Sequence, residues 1–224
     1  MTVTSALVIA RHGEARCNVE GRVGGPKTCT GLTDLGRRQV AQLAARLAAE
    51  HRATPFAAVY AGPRLRLRES GQILAAALDL PLVEDPGLDG PRHGEADGMA
   101  WREVEEAFGG APHTHPDRPY APGADSWNGY LTRATRYLAG LLEHAEGKRV
   151  LLAAHGETIH AACHHLLGIP LAQAPYIGFG TDHASLTRFQ RQRDAYGNAR
   201  WVLAALNDTT HLPPLGPAPG RPHR

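Results

Sequence analysis

The sequence predicts an α/β fold, a three-layer α/β/α sandwich with a mainly parallel central sheet. Three short apolar runs, at residues 6–10, 56–60 and 149–154, are continuous rather than alternating, which is typical of strands buried on both faces. A glycine follows each run within three residues, and a longer segment with apolar residues at helical spacing comes next. Buried strands that alternate with amphipathic helices favour a parallel sheet covered by helices.

The helical segments follow the three strands in order. Apolar residues between positions 40 and 47 recur at helical spacing, which predicts a helix from residue 35 to about residue 50. Thr33 and Asp34 are suited to its N-terminus. The further predicted elements are helices that end at residue 78 and that span 126–145 and 156–167, followed by strands over 185–190 and 200–206.

Proline and glycine indicate the domain organisation. They are abundant in residues 84–98 and 109–124, so a loop-rich insertion is predicted near 84–125. After His211 the chain lacks the apolar side chains that build a core, which predicts a flexible tail over 213–224. We therefore expect a single domain over residues 1–212.

Composition narrows the classes of function. Lys and Arg number 24 against 22 Asp and Glu, a formal charge of +2, whereas dedicated nucleic-acid-binding proteins show a clustered basic excess. No apolar run approaches the roughly 18 residues of a membrane-spanning helix, and the first residues show no secretory signal. The three cysteines form no C-x-x-C pair, which favours reduced thiols. We expect a cytoplasmic protein with neither a nucleic-acid nor a membrane partner.

Two histidines follow predicted strands at the positions where parallel sheets bind ligands. His12 comes after the first run and Arg11, and His155 comes after the run 149–154. Ligands of such sheets bind outside the carboxyl ends of the strands. Arginines that include Arg66 follow the run 56–60. Guanidinium groups bind phosphate in a bidentate manner and imidazole accepts a phosphoryl group covalently, so a phosphoryl-binding pocket is predicted.

The Arg-His-Gly tripeptide is a weak signal by itself, because the chain holds 13 histidines. The tripeptide recurs around His93, where no strand is predicted. On the tripeptide alone, His12 and His155 remain open to interpretation as incidental loop residues. The preceding strand and the second strand-terminal His-Gly pair are the features that favour the pocket.

Several short motifs occur in one order along the chain. They are Arg11-His12-Gly13-Glu14 with Asn18, Gly31-Leu32-Thr33-Asp34-Leu35-Gly36-Arg37, Pro63-x-x-Arg66, Pro122-Gly123-Ala124-Asp125-Ser126, Ala154-His155-Gly156 and Leu206-Asn207-Asp208-Thr209-Thr210-His211-Leu212. This order resembles the histidine phosphatase superfamily, in the branch that includes the phosphoglycerate mutases. The resemblance covers residues 6–212 and implies a phosphoglycerate mutase-like fold.

The resemblance also implies roles for the matched residues. His12 matches the nucleophile that becomes phosphohistidine. Arg11, Arg66 and His155 match the rest of the phosphate pocket. Asn18 matches a contact to the substrate or its phosphate.

Two arginines that flank Arg66 receive a different interpretation. Arg64 and Arg68 lie four residues apart, a spacing that places both on one side of a helix. We expect both side chains on a solvated helix face.

One position departs from the family pattern. Family members usually carry a glutamate four residues before the glycine matched by Gly94, and it is the general acid for the leaving group. Here that position is Gly90. The candidate replacements are Asp89, one residue earlier, and Glu157, directly after a strand-terminal His-Gly pair. We favour Glu157 as the catalytic carboxyl group and expect Asp89 near the substrate, although either is open to interpretation as a solvated loop acid.

These observations predict a metal-independent phosphatase that hydrolyses a small phosphate monoester through phosphohistidine. No cofactor is expected. His160 and His164 have a spacing that can hold a metal, but no third ligand is evident, so no metal site is predicted. The expected partner is a small phosphorylated metabolite, and a homodimer is left open. The alternatives are a phosphoglycerate-type mutase and a non-catalytic or repurposed phosphate-binding member of the family.

Overall fold

Six strands form one sheet in the part of the chain that the computed structural model describes, which comprises residues 1–110, 113, 115–174 and 176–213. The strands are β1 (Thr2–Arg11), β2 (Ala58–Ala61), β3 (Leu82–Glu84), β4 (Arg149–Ala154), β5 (Leu186–Arg193) and β6 (Ala199–Asp208). Their order across the sheet is β3-β2-β4-β1-β5-β6. The first four pair in parallel, and β5 pairs antiparallel with both β1 and β6. The sheet is therefore mainly parallel, as predicted.

Helices connect the parallel strands. The α-helices are α1 (Arg16–Val19), α2 (Asp34–Ala53), α3 (Leu65–Leu78), α4 (Trp101–Phe108), α5 (Trp127–His144) and α6 (Gly156–Leu166). Single 3-10 turns span Pro86–Leu88, Gly94–Ala96 and Leu171–Gln173. None of the helices in the described part of the chain is long and apolar enough to cross a membrane.

Side chains of β1 alternate between the two faces of the sheet and contribute to a core on each face. Leu7 and Ile9 pack in one buried cluster with residues of α5 and α6. Val8 and Ala10 pack in another with residues of α2 and α3. All four side chains are at most 2% exposed. Helices therefore cover both faces, which confirms the predicted three-layer α/β/α sandwich.

Hydroxyl caps begin two of the long helices. The Oγ1 of Thr33 accepts a hydrogen bond from the Gly36 N–H at 3.0 Å, and the Oγ of Ser126 accepts one from the Gly129 N–H at 3.1 Å. Such caps satisfy N–H groups that have no partner within the helix. Thus α2 begins where Thr33 and Asp34 predict it.

The predicted elements are confirmed with shifts at their ends, but three further helices and strands escaped the sequence analysis. These are the one-turn helix α1, the three-residue edge strand β3 and the short helix α4. Helix α4 packs through Val104 against Val23 and Ala96 in a third buried cluster. All of the predicted tail beyond residue 213 lies outside the described residues.

Two backbone segments approach each other closely where α2 begins. A Cβ atom on Gly36 would lie 2.1 Å from the carbonyl oxygen of Glu14, and a Cβ atom on Gly13 would lie 2.3 Å from the carbonyl oxygen of Gly36. No side chain fits at these distances, so the contact requires glycine at both positions. It fixes the loop that directly follows His12.

We predict that Gly36→Ala destabilises the fold by about 1–3 kcal/mol, because the added methyl group must displace backbone. Gly140→Ala in α5 is the matched control, since nothing lies within 4 Å of its Cβ position. Alanine at a helix interior is favoured over glycine by about 0.5–1 kcal/mol. Urea unfolding followed by circular dichroism measures both changes. Equal stability of Gly36→Ala and wild type would show that the close approach imposes no constraint.

Candidate active site

Four chain segments meet at one edge of the sheet. The ends of β1 and β4 lie side by side, and the His12 N–H donates to the Ala154 carbonyl oxygen at 3.0 Å. The ring centroids of His12 and His155 are consequently 5.4 Å apart, with the planes nearly perpendicular. The end of β2 and the start of β5 reach the same edge on either side. The structure therefore brings together the two strand-terminal histidines that the sequence singles out.

His12 is a buried imidazole with one free ring nitrogen. Its Nδ1 lies 2.7 Å from the carbonyl oxygen of Gly13. Because a carbonyl oxygen only accepts, Nδ1 carries the hydrogen and Nε2 keeps its lone pair. Burial, reinforced by the nearby Arg66 and Arg11, holds the pKa of His12 well below its ordinary value of 6.5. The imidazole is therefore neutral at neutral pH, and Nε2 is a competent nucleophile.

His155 has the opposite tautomer. Its Nδ1 lies 3.4 Å from the Nη2 of Arg66, and a guanidinium group only donates. The ring hydrogen therefore sits on Nε2, which is buried and has no hydrogen-bond partner among the described residues. Burial, with Arg66 and Arg64 beside it, holds the pKa of His155 well below 6.5. His155 offers a neutral N–H donor to a ligand.

Two arginines accompany the histidines. Arg66, in the first turn of α3, is 7% exposed and donates from Nη1 to the Gly24 carbonyl oxygen at 2.8 Å. Arg11, the last residue of β1, donates to the carbonyl oxygen of Thr181. Backbone carbonyls thus hold both guanidinium groups beside His12, where their charge suits a phosphoryl group.

Arg64 is also part of this site, so the prediction of a solvated helix face was wrong for this residue. Its side chain is 1% exposed, and its Nε lies 2.7 Å from the Oδ1 of Asp89. The i,i+4 pattern fails because Arg64 precedes the first turn of α3, as its N-cap residue. The prediction holds for Arg68, which is 43% exposed and paired with Glu84.

A side chain at Gly90 would crowd the side chains of His155 and Arg64. A Cβ atom there would lie 2.8 Å from the Cδ2 of His155, 3.0 Å from its Nε2 and 3.2 Å from the Nη1 of Arg64. The neighbouring Asp89 also accepts from the Gly90 N–H at 2.9 Å. Beside the position where the resemblance places a glutamate, the described structure therefore has the imidazole of His155 and the guanidinium group of Arg64.

Glu157 lies in the first turn of α6, next to His155. Burial alone would raise its pKa, but its own backbone N–H and the charges of Arg11 and Arg66 outweigh burial and lower the pKa. Helix N-termini favour carboxylates in the same way. Glu157 is therefore an ionised carboxylate at neutral pH, a state that accepts hydrogen bonds rather than donates a proton.

His93 belongs to the site although the sequence analysis set it aside. It is 8% exposed, with Nε2 at 3.3 Å from the Nη1 of Arg64 and Nδ1 at 2.7 Å from the hydroxyl of Tyr120. Burial, followed by the charge of Arg64, lowers its pKa to about 4. No strand precedes His93, so the strand-end criterion fails to detect it.

His183 is a second residue that the sequence analysis missed. Its ring centroid lies 5.8 Å from that of His12, and its Nε2 is 3.4 Å from the Nη2 of Arg11. It precedes β5, which runs against β1, so the beginning of β5 reaches the edge where the parallel strands end. The available signal for His183 was its position in the turn that precedes the late strand β5.

Asn18 lies at the periphery. It is exposed on α1, and its Oδ1 accepts from the Ala15 N–H at 3.2 Å. A metal site at His160 and His164 would need a third ligand. Within the described ranges, no group of three or more metal-ligating side chains occurs. His160 accepts from the Phe179 N–H instead.

The amino-acid sequence is similar to those of known phosphatases and mutases. The metal-independent phosphoserine phosphatase of Arabidopsis thaliana is 24% identical over 215 residues, which cover 94% of this chain and 84% of that protein. The 2,3-bisphosphoglycerate-dependent phosphoglycerate mutase 2 of Gloeobacter violaceus is 30% identical over 166 residues, covering 69% of this chain and 72% of that one.

The fold is also similar to that of a solved phosphatase structure. Mycobacterial glucosyl-3-phosphoglycerate phosphatase in complex with VO3 has a TM-score of 0.75 and 25% identity, covering 91% of this chain and 99% of that chain. The profile of the histidine phosphatase superfamily (branch 1) matches residues 7–209. The protein therefore belongs to branch 1 of the histidine phosphatase superfamily.

Proposed function

We propose that this protein is a metal-independent phosphatase that hydrolyses a phosphate monoester of a small cytoplasmic metabolite through phosphohistidine at His12. The observation that carries the proposal is the tautomer of His12. The Gly13 carbonyl oxygen accepts a hydrogen bond from the Nδ1–H, which leaves Nε2 with its lone pair in a buried, cationic pocket. That arrangement suits attack on phosphorus.

The reaction proceeds in two displacements. The Nε2 of His12 attacks phosphorus, the N–P bond forms, and the ester P–O bond breaks with its electron pair on the leaving oxygen. Arg11, Arg66 and the Nε2–H of His155 stabilise the equatorial oxygens. Water then attacks phosphorus, the N–P electron pair returns to His12, and one proton of the water passes to solvent, which protonates the departed oxyanion. Side chains supply the positive charge, so the mechanism needs no metal.

The remaining expected residues receive supporting roles. The Glu157 carboxylate balances and orients Arg11 and Arg66, whose charges lower its pKa. Asp89 acts on the substrate through Arg64, its ion-pair partner at 2.7 Å. Asn18 contacts the substrate from the exposed side of the pocket.

A mutase shares the first displacement but returns the phosphoryl group to a hydroxyl group. By microscopic reversibility, that return needs a base on the accepting hydroxyl where departure needed an acid. Gly90 supplies neither, and because an attacking water must lose a proton as well, this position bears equally on both reactions. Incubation with 2- and 3-phosphoglycerate decides between the two reactions, since a phosphatase releases inorganic phosphate and a mutase gives the isomer.

The first prediction concerns the covalent intermediate. After reaction with ³²P-labelled substrate and an alkaline quench, wild-type enzyme should retain a label that is stable in base and labile in acid, and His12→Ala should retain none. His165→Ala, which alters an exposed histidine of α6, is the matched control and should label like wild type. Label on His12→Ala would place the nucleophile elsewhere.

The second prediction concerns acid stability. Folded His12 and His155 stay neutral at pH values where the unfolded chain protonates them, near pH 6.5 and below. The unfolded state then binds more protons, so the free energy of unfolding decreases as the pH is lowered. The decrease is up to about 1.4 kcal/mol per pH unit for each histidine. Urea titrations between pH 7 and pH 5 should show a smaller fall for His155→Gln than for wild type. Identical slopes would mean that His155 has the same pKa in the folded and unfolded states.

The third prediction concerns metals. Activity should persist in excess chelator, because Arg11, Arg66 and His155 bind the phosphoryl group. Orthovanadate, whose five-coordinate adduct resembles the transition state, should inhibit. Activity lost in chelator and restored by zinc would revive the metal interpretation of His160 and His164.

A further inference from the structure

The part of the pocket around Gly90 carries positive charge. Arg64 occupies the space beside Gly90 and is held there by Asp89, by the Pro91 carbonyl oxygen and by the Gly24 carbonyl oxygen at 3.3 Å. The unpartnered Nε2–H of His155 faces the same space, 3.0 Å from the Cβ position of Gly90. The described groups nearest to this space are therefore a cation and a neutral donor.

The groups around this space lack a transferable proton at neutral pH. Glu157 is an ionised carboxylate, and Asp89 is ion-paired with Arg64. His93 is neutral, because burial and Arg64 lower its pKa to about 4. His155 is neutral as well, so transfer of its Nε2 hydrogen would create an unfavourable imidazolate. None of these four side chains is therefore poised to protonate an alkoxide.

We propose that Gly90 and Arg64 make this enzyme selective for phosphate monoesters of acidic hydroxyl groups, namely phenols and enols. The proposal rests on the phosphatase function given above. As His12 attacks, the P–O bond breaks and its electron pair remains on the leaving oxygen, which departs as a phenolate or enolate beside Arg64. Solvent protonates the product after release, and no proton moves in the transition state.

The magnitude of general acid catalysis sets the expected selectivity. A positioned acid contributes about 100- to 10,000-fold when the leaving group is a poor one, and an acidic hydroxyl departs without it. The enzyme should therefore lose about that factor on alkyl phosphates while retaining activity on aryl phosphates. The charge of Arg64 assists whichever oxygen carries negative charge as the bond breaks.

The experiment measures kcat/KM, which reports the steps up to the first irreversible one and so excludes slow hydrolysis of phosphohistidine. The substrates are a series of substituted phenyl phosphates together with ethyl and 2,2,2-trifluoroethyl phosphate, two esters of similar shape and different leaving-group acidity. We expect kcat/KM to rise steeply with leaving-group acidity, by about 100-fold or more from alkyl to aryl esters. The solvent deuterium isotope effect on kcat/KM should stay near one.

Variants identify the groups responsible. Asp89→Asn, Glu157→Gln and His93→Gln should leave the ratio of aryl to alkyl rates as in wild type, whatever their effect on overall rate. Arg64→Leu should lower kcat/KM for aryl phosphates at least about tenfold, and Arg64→Lys, which keeps the charge, should restore most of it. Arg68→Leu, on the exposed side of α3, is the matched control and should behave as wild type.

The outcomes separate this proposal from the proposed function. Equal rates on ethyl and trifluoroethyl phosphate with an intact His12 phosphoenzyme would overturn the selectivity and leave the phosphatase standing. A variant that loses alkyl activity and keeps aryl activity would identify the missing acid and overturn the proposal. If folded Arg64→Leu has the same kcat/KM for aryl phosphates as wild type, Arg64 does not assist the leaving group and the proposal is overturned for this residue. Absence of any His12-dependent phosphoenzyme would overturn the proposed function itself.

Discussion

The parallel pairing of β1 with β4 is the constraint on which the site depends. Its register sets Arg11 opposite Ala154, so each strand ends at the same level and delivers one histidine. A slip of one residue would turn Leu7 and Ile9 out of their cluster and exchange the two faces of β1. The two apolar cores therefore hold His12 and His155 in register, although neither histidine belongs to them.

The pocket combines buried cations with neutral histidines. Burying a guanidinium group is costly unless it is paired and hydrogen-bonded. Here backbone carbonyls of Gly24, Pro91 and Thr181 accept from the arginines, and Asp89 pairs with Arg64. The same charges that suit a phosphoryl group also discourage protonation of His12. One arrangement thus suits an anion and keeps His12 neutral, as the proposed nucleophilic role requires.

Much of this arrangement is predictable from the sequence. Continuous apolar runs indicate buried strands, and a histidine directly after each of two strands predicts their meeting at one edge. Arg64 and His93 escape that reasoning for a physical reason. The orientation of a helix-cap side chain and the path of a long loop depend on tertiary packing rather than on local periodicity. His183 was missed because strand direction, which pairing decides, determines whether a residue before or after a strand reaches the site.

The reversed direction of β5 has a consequence for biosynthesis. When residues up to the end of α6 have left the ribosome, the chain already contains His12 and His155. One edge of β1 is still unpaired, because its partner β5 is synthesised later, as the fifth of the six described strands. Until then alternate residues along one edge of β1 present unpaired N–H and C=O groups, the kind of edge that recruits other chains. Stalled or truncated nascent chains of this protein are thus expected to need chaperone protection, and the pocket gains His183 only when its final quarter emerges.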